Sequence, residues 1–195
     1  MKKLGCLGII VIALIVLVIW GLGKYNSLVS QDENVNNAWA QVESQYQRRA
    51  DLIPNLVETV KGYAEHESQT LQNVIEARAK ATSITVDPNN LTEESLAKYQ
   101  QAQGELTSAL GRLMVTIERY PDLKANQNFL ELQSQLEGTE NRVNNARDNF
   151  NQAAQSYNTM VRKFPANIVA SIFGFKNKAY FKAAETASEA PKVQF

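Results

Sequence analysis

Residues 4–23 form an uncharged apolar run directly after Met1-Lys2-Lys3, and its centre, Ile9 to Trp20, holds no polar side chain at all. Twenty residues at about 1.5 Å each reach about 30 Å, the hydrocarbon thickness of a bilayer. The rest of the chain has no comparable stretch, so it divides into a stub and transmembrane anchor over 1–23 and a single soluble body tied to a membrane. A cleavable signal peptide has a shorter apolar region and a small-x-small cleavage site, whereas this run closes on Trp20-Gly21-Leu22-Gly23. Leu4-Gly5-Cys6 has the flavour of a lipoprotein signal, but the apolar region follows the cysteine instead of preceding it. An uncleaved anchor is the favoured reading.

Flanking charge sets the expected orientation. Lys2, Lys3 and the amino terminus precede the run; Lys24 follows it, with Asp32 and Glu33 soon after. Basic residues near the ends favour the cytoplasmic side. The expectation is a cytoplasmic N-terminus and an extracytoplasmic body.

Without Lys2 and Lys3 the body carries 18 basic and 20 acidic residues, a net charge of −2. That balance argues against nucleic acid as a partner, which calls for a concentrated basic surface. The single cysteine lies in the apolar run, so the body has neither a disulfide framework nor a cysteine metal site. Long stretches rich in Ala, Gln, Glu, Asn, Leu and Arg, with little glycine, describe solvated helices.

Apolar residues in alternating steps of three and four mark the helices. Leu96, Tyr99, Leu106, Leu110, Leu113, Ile117 and Tyr120 form one seam, with Gln103 its only polar member. Thr92 is the expected N-cap of that helix and Pro121 its stop. A longer seam runs through Phe129, Leu132, Leu136, Val143, Ala146, Phe150, Ala153, Tyr157, Met160 and Phe164, with Thr139 in its polar slot. Gly138 weakens that helix by about 1 kcal/mol relative to Ala and suggests a bend or a close helix contact.

The first body helix is expected over 25–81, where Trp39, Val42, Tyr46, Ile53, Leu56, Val60, Tyr63 and Val74 keep one phase. Pro54 interrupts it, since proline has no N–H and crowds the carbonyl four residues back. Either Pro54 kinks one long helix or a hairpin at 51–53 separates two; the phase crosses the proline unbroken, which favours the kink. Residues 82–90 read as a loop and 184–195 as a disordered tail. The piece 168–182, with Ile168, Ile172, Phe173, Phe175 and Phe181 among Lys176, Lys178 and Lys182, could cap the bundle or touch the membrane interface. Capping is favoured.

Reactive constellations are missing. His66, the only histidine, is flanked by Glu65 and Glu67, but neighbouring helix residues point about 100° apart and cannot share a metal ion. There is no zinc motif, phosphate-binding glycine loop or nucleophile turn. No enzyme activity, cofactor or metal is expected. The densest cluster of unusual residues is 47–58, where Arg48 or Arg49 is placed to pair with Asp51 around Pro54. It reads as a structural joint, in which charged groups satisfy backbone loosened by proline, or as a partner-docking elbow of Arg48, Arg49, Asp51 and Pro54.

Tyr25-Asn26-Ser27-Leu28-Val29, Trp39, the block Gln47 to Tyr63, and Tyr157-Asn158 through Phe164-Pro165-Ala166-Asn167 to Gly174-Phe175 together resemble the bacterial LemA family. The resemblance implies an N-terminal membrane segment, an antiparallel helical bundle and work beside other envelope proteins, such as membrane proteases or TPM-domain proteins. It implies no catalytic residue. The expected fold is all-α: a transmembrane helix, then a body over 24–183 built as an antiparallel bundle of three long helices plus a short C-terminal helix. The expected function is a non-enzymatic membrane-tethered scaffold or adaptor in the cell envelope, with self-association into a homo-oligomer open. The alternative is an envelope protein that binds a small ligand or metal ion inside the bundle, where Gln103 and Thr139 would have to converge.

Overall fold

The computed structural model describes residues 2–182, and among these it is helical with no strand. The expected tail at 184–195 lies outside the described residues. One helix, α1, runs unbroken from Lys2 to Lys61. At 1.5 Å per residue it is about 90 Å long, so the apolar run and the first wall of the bundle are one rod. The N-terminal part of α1 is long and apolar enough to cross a membrane, and its Ile12, Ile15 and Ile19 are exposed among the described residues. It is a candidate single membrane span.

Pro54 lies inside α1, which continues past it on both sides. The hairpin at 51–53 is therefore absent. The expected helix over 25–81 nevertheless ends early, at Gly62-Tyr63, and a single 3-10 turn over Glu65–Glu67 leads into α2, Ser68–Ser83. Reversal there lets Leu71, Val74 and Ala81 of α2 pack on Ile53, Leu56 and Val60 of α1, where a straight helix would have carried them into solvent. The phase runs on through Ala64, Leu71, Val74 and Ala81, so periodicity alone does not register the turn.

Helix α3, Glu93–Ile117, opens on the expected cap: the Thr92 hydroxyl accepts from the Ser95 N–H, and the Thr92 N–H donates back to the Ser95 hydroxyl. A short α4, Pro121–Lys124, turns the chain into α5, Gln127–Arg162, capped by the Asn126 side chain, which accepts from the Phe129 N–H at 3.1 Å. Alternation of direction follows from the contacts. Arg78 of α2 reaches back to Ala50; Arg119 and Tyr120 after α3 meet Glu67 before α2; Asn126 before α5 meets Tyr63 after α1. The structure is an antiparallel bundle with α1, α2, α3 and α5 as its long elements. A Cβ at Gly138 would meet open space, so no close helix contact requires that glycine.

Helix α2 covers only the half of the bundle far from the apolar run. In the near half its place is taken by an extended strap, residues 174–182. The chain enters it from α6, Ala166–Phe173, through Gly174, whose φ of 78° is a left-handed conformation that side chains disfavour. Along the strap, Asn158 and Asn151 of α5 each bond the backbone with both ends of their amide. Asn158 accepts from the Lys178 N–H and donates to its carbonyl, both at 2.8 Å; Asn151 does the same at Phe181. Phe181 stacks on Trp39 at 6.0 Å and meets Phe150 edge-on at 5.4 Å. Lys178 is buried, yet its ammonium pairs with Asp32 at 3.0 Å and donates to the Pro88 carbonyl.

The apolar interior consequently has two compartments. Near the apolar run, Trp39 is the hub of an aromatic cluster with Tyr99, Phe150 and Phe181. In the far half, Ile53, Leu56 and Val60 pack with α2, Leu106 and Leu113 of α3, and Phe129 and Leu136 of α5.

Candidate functional site

The two compartments part at a layer of polar residues, and Arg49 is its centre. A buried stripe along α1 runs through positions 39, 42, 46, 49, 53, 56 and 60, so Arg49 occupies an ordinary core slot between Tyr46 and Ile53. Its side chain is 4% exposed. One guanidinium nitrogen donates to the Thr107 hydroxyl at 3.0 Å; the other donates to the Gln103 side-chain oxygen at 3.0 Å and to the Gln103 backbone carbonyl at 3.3 Å. Gln103 in turn donates through its amide nitrogen to the carbonyl of Ala81 at the end of α2. The guanidinium also lies over the Tyr46 ring, 5.2 Å from its centre. Burial lowers the pKa of Arg49 from its ordinary value, but a guanidinium begins so far above neutrality that it stays cationic. This network ties α1, α2 and α3 together at one level.

Arg49 is thus corrected from a partner-docking residue to an internal one: a side chain enclosed on all sides offers nothing to a partner. Arg48, Asp51 and Pro54 are exposed on the outer face of α1. The expected ion pair of Asp51 with Arg48 or Arg49 is not formed. Asp51 instead accepts from the Gln47 amide one helical turn back, at 2.7 Å.

Compensation for the proline is present, and it comes from elsewhere in the sequence. In an unbroken helix residue 54 would donate its N–H to the carbonyl of residue 50, and Pro54 has none to give. The Ala50 carbonyl accepts instead from the Arg78 guanidinium of α2, at 2.7 Å. Ala50 is itself 2% exposed, so without Arg78 that oxygen would be shut away from water with no donor in place. The joint thus has a cation on its inner side from a second helix, and a free polar surface outside.

Gln103 and Thr139, the pair that a ligand site inside the bundle would need, both lie at this boundary but are engaged with the protein. Gln103 holds Arg49 and Ala81, and the Thr139 hydroxyl donates to the Leu136 carbonyl of its own helix at 2.7 Å. Among the described residues no group of three or more His, Cys, Asp or Glu side chains converges as metal ligands would. His66 sits exposed in the turn before α2.

At the end of the bundle nearest the apolar run, α6 is seated on α1. Val169 and Ala170 bury Leu28, which is the capping role expected of this segment. Phe164 departs from the seam assigned to it: it follows the end of α5 and is exposed.

A sequence profile of the LemA family matches residues 38–195, which takes in the polar layer, the joint and the strap. Among characterised sequences, the chain is similar to "Protein LemA" of Metamycoplasma hominis, 27% identical over 164 residues that cover 84% of this chain and 71% of the relative. It is also similar to "Magnetosome protein MamQ 2" of Paramagnetospirillum magneticum, 28% identical over 178 residues, 83% of this chain and 65% of that one. "Magnetosome protein MamQ" of Magnetospirillum gryphiswaldense is 27% identical over 207 aligned positions, covering 96% of this chain and 76% of its own length.

Proposed function

The chain belongs to the LemA family, and from that premise we propose that it is a membrane-tethered scaffold or adaptor of the bacterial cell envelope, without enzymatic activity. The observation that carries this reading is the continuity of α1. One helix contributes both the candidate span and the residues around which the bundle packs, so the membrane positions the bundle rigidly. Arg49, Gln103 and Thr139 inside the bundle are each hydrogen-bonded to other protein groups, an arrangement suited to fixing a shape rather than to meeting a substrate. With a cytoplasmic N-terminus, as the flanking lysines favour, the bundle stands on the outer side of the membrane.

The surface proposed to receive a partner is the outer face of the joint: Arg48, Asp51 and Pro54, with Asn55 beside them. The partner is another envelope protein. A photo-crosslinking amino acid at Arg48 of the full chain in living cells, with mass spectrometry of the adducts, tests the proposal. A discrete heterologous membrane or envelope protein supports it and identifies the process. Adducts to this chain alone replace the adaptor with a homo-oligomeric scaffold, and the absence of any adduct removes the joint as a docking surface. Orientation is checked separately by protease treatment of intact cells, where full protection of the body reverses it.

A further inference from the structure

The geometry points to α6 as a lipid-facing foot: Phe164, Ile168, Ile172 and Phe173 rest in the interfacial zone of the same bilayer that α1 crosses. This rests on α1 being a membrane span. Given that, the depth of α6 is fixed by its contacts. The apolar run ends at Gly23, and Tyr25 follows about 3 Å further along the helix axis. Its ring lies 4.8 Å from that of Phe173 and 5.8 Å from that of Phe175. Leu28, the residue under Val169 and Ala170, stands only about 8 Å beyond Gly23. The headgroup zone on each side of the hydrocarbon is about 5–8 Å thick, so α6 is held within it or at its edge.

The composition of α6 suits that level. It buries Ala166, Val169 and Ala170 against the bundle and turns the larger apolar groups outward: Ile168 is 50% exposed, Ile172 72% and Phe173 60%, with Phe164 alongside at 75%. Its only polar side chains are Asn167 and Ser171. A two-sided apolar helix of this kind in open water would be costly, whereas at an interface its second face has a solvent.

Charge identifies the lipid side further. From Asn149 to Lys182 the sequence contains no Asp or Glu, but it contains Arg162, Lys163, Lys176, Lys178 and Lys182. Lys178 pairs with Asp32 and Lys182 with Glu93, which leaves Arg162, Lys163 and Lys176 exposed around α6, with Lys24 nearby on α1. Such a cluster is complementary to anionic headgroups. Because α1 already holds the body at the membrane, contact is intramolecular, and an eight-residue helix that could not bind a bilayer alone is sufficient.

The test uses the full chain with Cys6→Ser, carrying a nitroxide label at Ile172→Cys, at Ile15→Cys in the span, or at Val115→Cys. Val115 is exposed and lies at the far end of α3. Each protein is placed singly in nanodiscs of phosphatidylcholine and phosphatidylglycerol, and collisions with oxygen and with a water-soluble nickel chelate are measured. Expected is a label at Ile172 that loses nickel collisions and gains oxygen collisions relative to Val115, in the direction shown by Ile15. If Ile172 behaves like Val115 while Ile15 is shielded, the foot is refuted and the span stands. A nickel-accessible Ile15 removes both. Shielding of Ile172 that appears only with two copies per disc, accompanied by dipolar broadening between labels, makes the occupant a second copy and overturns the lipid assignment.

Discussion

The Ala50 carbonyl gives the sharpest quantitative prediction, because two residues 24 positions apart act on one oxygen. Removing the Arg78 guanidinium with Arg78→Met keeps much of the aliphatic stem and leaves a buried acceptor without its donor, a loss of about 1–3 kcal/mol. Pro54→Ala restores the missing N–H, and the helix can then bond its own carbonyl. In that background the same Arg78→Met substitution should cost about 0.5 kcal/mol or less. The double-mutant cycle therefore predicts a coupling of about 1–2 kcal/mol between Pro54 and Arg78, well above the few tenths expected of independent sites. For a body of this size that corresponds to about 2–8 °C in Tm between the two Arg78→Met contexts. The assay is denaturant and thermal unfolding of the four full-length proteins in detergent micelles, followed by far-UV circular dichroism. A cycle that closes to within about 0.5 kcal/mol would show that Arg78 does not substitute for the proline's absent N–H.

The polar layer predicts that Arg49→Ala destabilises by about 2–3 kcal/mol, since it strands the Gln103 oxygen in the core; Arg49→Met combined with Gln103→Leu should recover only part of that loss in the same unfolding assay, because the buried Ala81 carbonyl then loses its donor. Recovery by Arg49→Met alone would contradict the role given to Gln103. For the strap, Asn158→Ala removes three hydrogen bonds and should cost about 1–3 kcal/mol while speeding tryptic cleavage after Lys176 and Lys178 several-fold; unchanged cleavage would mean that α5 does not retain the strap through this amide. Alkaline stability tests the aromatic interior. Burial raises the hydroxyls of Tyr46 and Tyr99 above the ordinary tyrosine range and pushes Tyr157 up to about 12. The folded chain thus keeps protons that the unfolded chain releases, so stability is complete below about pH 10 and falls above it, by up to about 1.4 kcal/mol per pH unit for each tyrosine until the folded value is passed. A denaturation midpoint unchanged between pH 8 and pH 11 would contradict this.

Most of the secondary structure was legible because its signals are local. The seams of α3 and α5, the Thr92 cap and the Pro121 stop depend on neighbours within one or two turns, and they appear close to where expected, except that Tyr120 and Phe164 fall beyond the ends of their helices. What escaped was decided at long range. The turn after Lys61 keeps the heptad phase, so only the packing of α2 back on α1 reveals it. The place of Arg49 is readable in the sequence: it fills the slot between Tyr46 and Ile53, and a cation in an apolar seam needs a buried acceptor. Gln103, the lone polar member of the α3 seam, is that acceptor. Matching such polar slots between helices would have paired them from sequence. Arg78 could not have been assigned in this way, since nothing local distinguishes it from a solvated arginine. The strap, with no periodic pattern, could be found only through the asparagines that hold it.

The unbroken α1 has a mechanical consequence. With no hinge between span and bundle, a change in the angle at which the span crosses the bilayer is carried to the far turn without loss. Residues 24–61 extend about 57 Å. A tilt of about 20°, ordinary for a single span, would swing that end sideways by about 20 Å. Span tilt responds to bilayer thickness, so a thinner or thicker membrane becomes a different sweep radius for whatever the bundle carries.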